Sequence, residues 1–182
     1  MNFKPFPLLK TECLFLRKIE ESDWDRILFL RSDKMVNKFI ERPENRRTKN
    51  KTDAINFIRE LHKNIENNLA ISWGITLKDN PEIIGTICLW NFSENNKIAE
   101  VGYDLDSAFH KKGIMSEALI SIVNFGFSQL KLHKIEAFTN NENENSKKLL
   151  EKNGFHFIEN RKDEENGSNI IFEIKNSNGI TV

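Results

Sequence analysis

The sequence predicts an α+β fold with α/β/α layering: a mixed, mostly antiparallel, twisted sheet of six or seven strands with helices on both faces. Apolar runs of strand length alternate along the 182 residues with amphipathic stretches of helical length. Three consecutive strands are joined by short polar turns, a pattern typical of an antiparallel meander. A helix then separates two further strands, which predicts a parallel pair joined by a right-handed crossover.

The N-terminal segment predicts one strand followed by a helix. Residues 13–19 alternate apolar and polar side chains, as the residues of a half-buried strand do. Ser22 or Asp23 can cap the helix that follows, because acidic residues and Trp24 come next. This helix is expected to reach about Leu30.

Two more helices are expected before the meander. A short helix covers residues 34–40, and the basic segment 42–51 is either a solvated linker or a mobile wall of a binding pocket. Thr52 or Asp53 can cap a longer helix, because apolar residues over 54–65 recur at helical spacing.

The meander is expected over residues 70–105. Its strands cover 70–77, 83–92 and 98–105, and the polar segments 78–82 and 93–96 form the turns. Asp, Asn, Pro and Ser in these segments favour hairpin loops longer than two residues.

The last third predicts a helix, a strand, a second helix and a final hairpin. In order, they cover 113–130, 134–139, 146–152, and 155–158 paired with 169–174. Gly154 suits the left-handed position that ends a helix. We expect a single domain over 1–182, with its core over about 10–175 and a tail over 176–182.

Composition excludes several classes of function. The 27 basic and 27 acidic residues balance, which argues against a dedicated nucleic-acid-binding protein. Two cysteines, Cys13 and Cys88, are too few for a disulfide scaffold or a structural zinc site, and we expect both to be buried, reduced thiols. The four histidines show no metal-ligand spacing. No apolar segment reaches membrane-spanning or signal-peptide length, so a cytoplasmic location is expected.

The chemistry is concentrated in the loop that joins the third meander strand to the next helix. The first N–H groups of a helix have no partner within the helix and attract anions. Gly113 permits close backbone approach, and Lys111 and Lys112 add positive charge. These residues predict a phosphate-binding turn; the alternative is a glycine-containing surface loop with two solvated lysines.

This region resembles the GNAT superfamily of N-acetyltransferases, and within it the RimJ/RimL type that modifies ribosomal proteins. The family signature Gln/Arg-x-x-Gly-x-Gly/Ala is represented by His110-Lys111-Lys112-Gly113-Ile114-Met115, in which Gly113 matches while His110 and Met115 differ. The flanks A-E-V-G-Y-D-L-D over 99–106 and N-x-x-S-x-x-L-L-E-K-x-G-F over 143–155 also resemble the family. The resemblance covers roughly residues 10–175.

The resemblance implies two parallel strands that splay apart, with the pantetheine arm of acetyl-CoA lying in the gap. It implies no metal. Main-chain groups of Tyr103, Asp104 and Leu105 would hold the pantetheine and polarise the acetyl carbonyl. The implied contacts to the pyrophosphate and to the rest of the arm involve His110, Lys111, Lys112, Gly113, Ile114, Met115, Ser116, Asn143 and Ser146.

Catalytic roles follow from the same resemblance. Glu100 is the candidate base, acting through a water, with Asp104 as an alternative; Glu100 could instead face solvent or pair with a lysine. Ser146 would place its hydroxyl near the thioester sulfur, although Asn143 and Ser146 could simply cap a helix. Tyr103 could protonate the thiolate or be an ordinary core residue.

The expected function is transfer of an acetyl group from acetyl-CoA to a primary amine, by direct attack in a ternary complex. A protein N-terminus is one expected acceptor, and an aminoglycoside or a polyamine is the alternative. A different class is a non-catalytic acyl-CoA-binding module. We expect no nucleic-acid or membrane partner, and either a monomer or a homodimer.

Overall fold

Eight strands form one sheet in the computed structural model, which describes residues 1–176. They are β1 (Leu9–Lys10), β2 (Leu14–Arg17), β3 (Ile71–Leu77), β4 (Asn80–Trp90), β5 (Ile98–Leu105), β6 (Lys134–Asn140), β7 (His156–Phe157) and β8 (Asn169–Lys175). The α-helices among the described residues are α1 (Trp24–Ser32), α2 (Lys51–Glu66), α3 (Ile114–Ser128) and α4 (Glu144–Lys152). The expected tail lies outside the described residues except for Asn176.

The strand order is β1-β2-β3-β4-β5-β6-β8-β7, and every neighbouring pair except β5/β6 is antiparallel. The predicted meander and the predicted parallel crossover are therefore both confirmed. The predicted number of strands was too low. The additional strand, β1, has only two residues, so its sequence carries no periodicity from which it could be recognised.

The two faces of the sheet carry separate apolar clusters. On one face α3 packs against β2, β4 and β6, and α4 packs against β6 and β7. Trp73 meets Phe125 of α3 edge-on with ring centroids 5.4 Å apart. On the other face α1 and α2 pack over a smaller cluster: Ile19, Ile27, Leu30, Ala54, Ile58 and Ile83. The helices on both faces agree with the predicted layering.

The short helix predicted over 34–40 is wrong, because this segment forms turns. The Asp33 carboxylate accepts hydrogen bonds from the backbone N–H groups of Met35 and Val36, and the Asn37 amide donates to two backbone carbonyls. Such side-chain bonds compete with helical ones.

The predicted N-cap of α2 is also wrong. Asn50 takes this position, and its Oδ1 accepts a bond of 3.0 Å from the backbone N–H of Asp53. At α1 the N-cap is Asp23, one of the two residues predicted for this position, and a short 3-10 turn over Glu21–Asp23 precedes the helix.

Cys13 is exposed, which corrects the expectation that both thiols are buried, whereas Cys88 is largely shielded and both are free. Within residues 1–176 no helix combines the length and apolar character that membrane crossing requires.

Candidate active site

A gap opens between β5 and β6 immediately after their first three residues. The two strands pair only at Ile98–Lys134, Ala99–Ile135 and Glu100–Glu136. From residue 137 onward β6 pairs only with β8, on its other edge, and the corresponding part of β5 pairs only with β4. The splay expected from the family resemblance is therefore present.

The main chain of β5 presents free groups to this gap. The backbone N–H of Asp106 donates to the Ile84 carbonyl at 2.8 Å. This bond shows that the even-numbered residues of β5 direct their main-chain groups toward β4. Since main-chain groups alternate in direction along a strand, Val101, Tyr103 and Leu105 direct theirs away from β4, toward the gap. Asp104 directs its main chain toward β4, so its side chain is the part available to a ligand.

The loop beyond β5 ends in a turn with an unusual backbone. Lys111 has a φ of 61° and Gly113, the N-cap of α3, has a φ of 80°. No side chain within residues 1–176 caps α3, which leaves the backbone N–H groups of Ile114, Met115 and Ser116 without a capping partner at its N-terminus. A Cβ added at Gly113 would meet no described atom within 4 Å, so the space beside this residue is open.

Three contacts hold this turn in place. The His110 ring bonds the Leu105 carbonyl through Nε2 at 3.0 Å, and the Ser116 hydroxyl donates to Asn153 Oδ1 at 2.8 Å. The Glu117 carboxylate accepts a bond of 2.7 Å from the backbone N–H of Cys13. The side chains of His110, Ser116 and Glu117 therefore make hydrogen bonds within the protein, and those of Ile114 and Met115 are buried in the core. Only main-chain groups and the exposed Lys111 and Lys112 are left for a ligand at this turn.

The residues present fit the acetyl-CoA that the resemblance implies. The uncapped helix N-terminus and the two exposed lysines match the charge and the acceptor oxygens of a pyrophosphate. The free edge of β5 offers the alternating donors and acceptors that an extended amide-containing arm requires. Among residues 1–176 no group of three His, Cys, Asp or Glu side chains could hold a metal.

A pair of hydroxyl groups lies beside the gap. The Tyr103 and Ser146 hydroxyl oxygens are 2.8 Å apart, and Ser146 is buried at the start of α4. Burial raises the pKa of Tyr103 to about 12. Asn143 is the N-cap of α4, and its Oδ1 accepts a bond of 3.2 Å from the backbone N–H of Ser146. The capping role that the sequence suggested for Asn143 is therefore present.

Glu100 is half-buried on the opposite face of β5. Its Oε1 accepts a hydrogen bond of 2.5 Å from the Asn91 amide. Burial raises the pKa of Glu100, and the nearby carboxylates of Glu136 and Asp163 raise it further. Glu100, Asn91 and Glu136 border a cavity of about 280 Å³, which Lys134 and Arg161 also line.

Asp104 lies on the same face as Glu100, at the other end of the gap. Its Oδ1 accepts bonds of 3.0 Å from both the backbone N–H and the hydroxyl of Thr86. Burial raises the pKa of Asp104, while Thr86, Arg42 and Arg31 act in the opposite direction.

Gly102 lies between the two carboxylates. A Cβ at this position would be 3.2 Å from Cys88 Sγ and 3.7 Å from Trp90 Nε1, so these two side chains already occupy the space beside Gly102. Burial raises the pKa of the Cys88 thiol to about 12, so Cys88 stays protonated at neutral pH.

Sequence reasoning missed the partners that lie on other elements. Asn91, Thr86, Arg31, Arg42, Glu136 and Arg161 surround the two carboxylates. Thr86 and Asn91 lie on or just after the strand predicted to neighbour β5, so strand pairing could have indicated them. Arg31, Arg42 and Arg161 come from a helix and loops whose placement no local pattern predicts.

Comparisons with known proteins agree with this geometry. Residues 14–156 match the family described as acetyltransferase (GNAT) domain. The N-acetyltransferase YoaA from Bacillus subtilis (strain 168) is 33% identical over 152 residues, which cover 82% of this chain and 83% of YoaA.

Two solved structures show the same fold. The ribosomal-protein-S5-alanine acetyltransferase from Vibrio fischeri has a TM-score of 0.81 and 24% identity, covering 96% of this chain and 100% of that one. RimJ from Mycobacterium smegmatis, in complex with CoA-disulfide, has a TM-score of 0.81 and 19% identity, covering 100% and 93%. The chain therefore belongs to the GNAT family of acetyltransferases, which use acetyl-CoA as the acetyl donor.

Proposed function

We propose that this protein transfers the acetyl group of acetyl-CoA to a primary amine by direct attack in a ternary complex. The observation that carries the proposal is the gap between β5 and β6 with an uncapped helix N-terminus at its end. We also propose that one GNAT domain over about 10–175 performs the reaction and that it does so in the cytoplasm.

The chain's own residues bind and orient the donor. The main chain of Tyr103, with the remaining free groups of Val101 and Leu105, holds the extended arm, since the Leu105 carbonyl already bonds His110. The amides of 114–116 hold the diphosphate. When bound, acetyl-CoA supplies an activated thioester. The carbonyl would be polarised by a main-chain N–H of β5, because a fixed dipole aimed at developing negative charge lowers the barrier.

Glu100 acts as the base in this proposal. Amino groups near neutral pH are mostly protonated, with a pKa of about 8 for an α-amine, and only the neutral amine attacks. Asn91 fixes the Glu100 carboxylate, and the raised pKa makes it a better proton acceptor than an exposed glutamate. The proton would reach it through a water.

The Tyr103–Ser146 pair stabilises the departing sulfur. A thiol has a pKa of about 8.5, well below the value of about 12 to which burial raises the Tyr103 pKa. A complete proton transfer from tyrosine to the thiolate would therefore be uphill. We assign these hydroxyls the role of hydrogen-bond donors to the thiolate, which then takes its proton from solvent.

A direct attack is favoured over an acetyl-cysteine intermediate. Cys88 is the cysteine nearest to Gly102, and a thiol whose pKa is raised to about 12 is a poor nucleophile at neutral pH.

We propose a protein N-terminus as one acceptor, which the fold shared with an alanine acetyltransferase that acts on a ribosomal protein supports. The test is an acceptor screen that includes peptides with different N-termini, polyamines and aminoglycosides, with release of free CoA thiol as the signal. Release with a peptide supports this acceptor, and release with only a polyamine or an aminoglycoside contradicts it. Tight CoA binding without release with any acceptor would show a non-catalytic module.

A further inference from the structure

The end of β4 carries one extra residue opposite the start of β5. Trp90 is paired with Glu100, and a regular antiparallel ladder would next pair residue 92 with Ile98. Instead, the backbone N–H of Ser93 donates to the Ile98 carbonyl at 3.0 Å. Two residues of one strand therefore lie opposite one residue of the other, which is a β-bulge. Such bulges bend a strand and change the direction of its side chains.

The bulge turns Asn91 toward Glu100. Asn91 has a left-handed φ of 46°, which asparagine tolerates better than most residues. In a regular strand, alternation would direct its side chain to the face opposite that of Trp90 and Glu100. In the bulge, its amide donates to Glu100 Oε1 at 2.5 Å. Asn91 is exposed, so the direction of its amide depends on how firmly the bulge is held.

The other residue of the bulge, Phe92, contacts a residue at the beginning of the chain. Its ring packs against that of Phe3, with centroids 5.9 Å apart and planes tilted by 41°. Phe3 is 1% exposed and belongs to the larger apolar core cluster, and its backbone N–H donates to Asn68 Oδ1 at 3.0 Å. Asn91 and Phe92 border the same cavity as Glu100. The ring contact therefore connects the core to the bulge beside the candidate base.

The residues that follow Phe3 are held by a different strand. The Phe6 ring packs against that of Trp73 on β3, with centroids 6.0 Å apart. The Trp73 indole Nε1 donates to the Pro7 carbonyl at 2.8 Å. The ring contact of Phe6 is thus with β3, whereas that of Phe3 is with the bulge. This difference provides a matched control within one segment.

We propose that Phe3 is a positioning residue for the acetyl transfer: its ring holds the bulge at Asn91–Phe92 and thereby keeps the Asn91 amide on the Glu100 carboxylate. A base has to be held close to its working position, because small displacements of a reacting group lower the rate strongly. This inference rests on the proposed function, in which Glu100 is the base.

The test follows the pKa of Glu100 by NMR titration of its carboxyl carbon and by the acid limb of the pH profile of kcat/KM. The Asn91 bond opposes the effect of burial on this pKa, so losing the bond should raise the pKa further. Asn91→Gly removes the amide and keeps the left-handed backbone, because glycine adopts a positive φ without strain. This variant should raise the pKa by about 0.5 to 1 unit.

Phe3→Ala should reproduce part of this shift and lower kcat about 3- to 10-fold. Phe3→Leu keeps the burial but not the flat ring, so its shift should be smaller and in the same direction. Phe6→Ala is the control, because it removes a ring from the same segment. It should lower the melting temperature but leave kcat and the pKa of Glu100 unchanged.

A double variant separates positioning from a general loss of packing. If Phe3 acts through the Asn91 amide, Phe3→Ala combined with Asn91→Gly should show the Glu100 pKa of Asn91→Gly alone. Where Phe3→Ala does not fold, Phe3→Leu replaces it in the same comparison. None of these substitutions changes a charged group that faces Glu100: Glu136, Lys134, Asp163 and Arg161.

The inference is overturned by equal shifts in the Phe3 variants and Phe6→Ala, by no shift in the Phe3 variants, or by additive shifts in the double variant. The carboxyl titration requires no turnover, so it is independent of the proposed function. The predicted titration pattern without acetyl transfer to any amine would support the hold of Phe3 on the Asn91–Glu100 bond and contradict the proposed function. Acetyl transfer with a Glu100 pKa that the Phe3 variants leave unchanged would overturn this inference alone.

Discussion

The surroundings of Glu100 suit a base that works near neutral pH. The carboxylate has a fixed hydrogen bond from Asn91, is half-buried, and has carboxylates rather than unpaired cations as its nearest charged neighbours. Arg161 is the cation that acts on it, but this arginine is already paired with Glu136. Burial, followed by the nearby carboxylates of Glu136 and Asp163, keeps the pKa of Glu100 above its usual value.

Replacing Glu100 with Gln should lower kcat about 10²- to 10³-fold, because the amide keeps the shape and the bond to Asn91 but accepts no proton. The affinity for acetyl-CoA should stay unchanged, since Glu100 lies on the face opposite the Tyr103–Ser146 pair. Steady-state kinetics and calorimetric titration test the two halves of this prediction. An unaltered kcat would exclude Glu100 as the base and leave Asp104 as the alternative.

The pH dependence of stability should carry the same signature. A carboxyl group whose pKa is raised by folding favours the folded state at low pH, and this contribution is lost as the pH rises through the raised pKa. Glu100→Gln should therefore raise the melting temperature at pH 7 slightly, by no more than about 3 °C, and should not raise it at pH 4. Thermal unfolding at the two pH values tests this, and a lower melting temperature at pH 7 would contradict it.

At the level of single residues, the sequence indicated candidate site residues better than it indicated the residues to which they are hydrogen-bonded. Asn143 and Ser146 were identified as candidate ligand-binding or capping residues, because Asn and Ser occur both in the family motif and at helix starts. The pairing of Ser146 with Tyr103 depends on how α4 packs against β5, which no local pattern encodes. The exposure of Cys13 was also missed, because a single residue at a strand end carries no burial signal.

Among the elements, the turn at the start of α3 is the one whose backbone is best arranged to bind a ligand. Its N-cap is a glycine with a left-handed backbone, and its first amides are open because His110, Ser116 and Glu117 hold the loop from outside. A ligand that needs several backbone donors therefore finds them already arranged.

Replacing Gly113 with Val should abolish measurable CoA binding. A β-branched side chain is strained at a φ of 80° and would occupy the space in front of the amides. Gly154→Val is the matched control, because Gly154 has a φ of 83° at the other end of a different helix. Both variants should lose stability in thermal unfolding, but only Gly113→Val should lose CoA in a calorimetric titration. Equal CoA affinity in the two variants would show that the turn does not bind the diphosphate.

The ladder between β5 and β6 places Glu136 directly opposite Glu100, where it also controls a cation. Glu136 is buried, with Lys134 Nζ at 2.6 Å and Arg161 Nη1 at 2.5 Å. Glu136→Gln removes a negative neighbour and frees Arg161 for Glu100, and both changes lower the pKa of Glu100. The acid limb of the pH profile of kcat/KM should move down by about 0.5 to 1 unit.

The control for this shift is Glu173→Gln. Glu173 also pairs with Lys134, at 3.1 Å, but is not among the groups that act on the pKa of Glu100. An acid limb that moves equally in both variants, or that does not move in Glu136→Gln, would show that Arg161 does not control the base.

Most of the helices and strands could be predicted from sequence, whereas the two-residue strand β1 and the turns over 34–40 could not. The strand over Ile98–Leu105 was predicted with its observed bounds, and α3, β3 and β6 were placed to within one or two residues, because their apolar periodicity is strong. The segment 34–40 was predicted as a short helix, but the side-chain bonds of Asp33 and Asn37 favour turns.

At the scale of the whole molecule, the two faces of one sheet have separate tasks. The face under α3 and α4 carries the Tyr103–Ser146 pair, and the turn proposed to bind the diphosphate lies at the α3 N-terminus. The face toward α1 and α2 carries Glu100, Asp104 and the arginines. The gap between β5 and β6 connects the two faces. In the proposed reaction, the acetyl group would therefore be transferred through the plane of the sheet.

The most direct test of this account is a titration of acetyl-CoA followed both by calorimetry and by backbone amide NMR shifts. We predict binding with a Kd in the micromolar range or tighter, and the largest shifts at the amides of residues 113–116 and along 101–105. No heat of binding, or binding that leaves both sets of amides unshifted, would contradict the claim that this gap and this turn hold the acetyl donor.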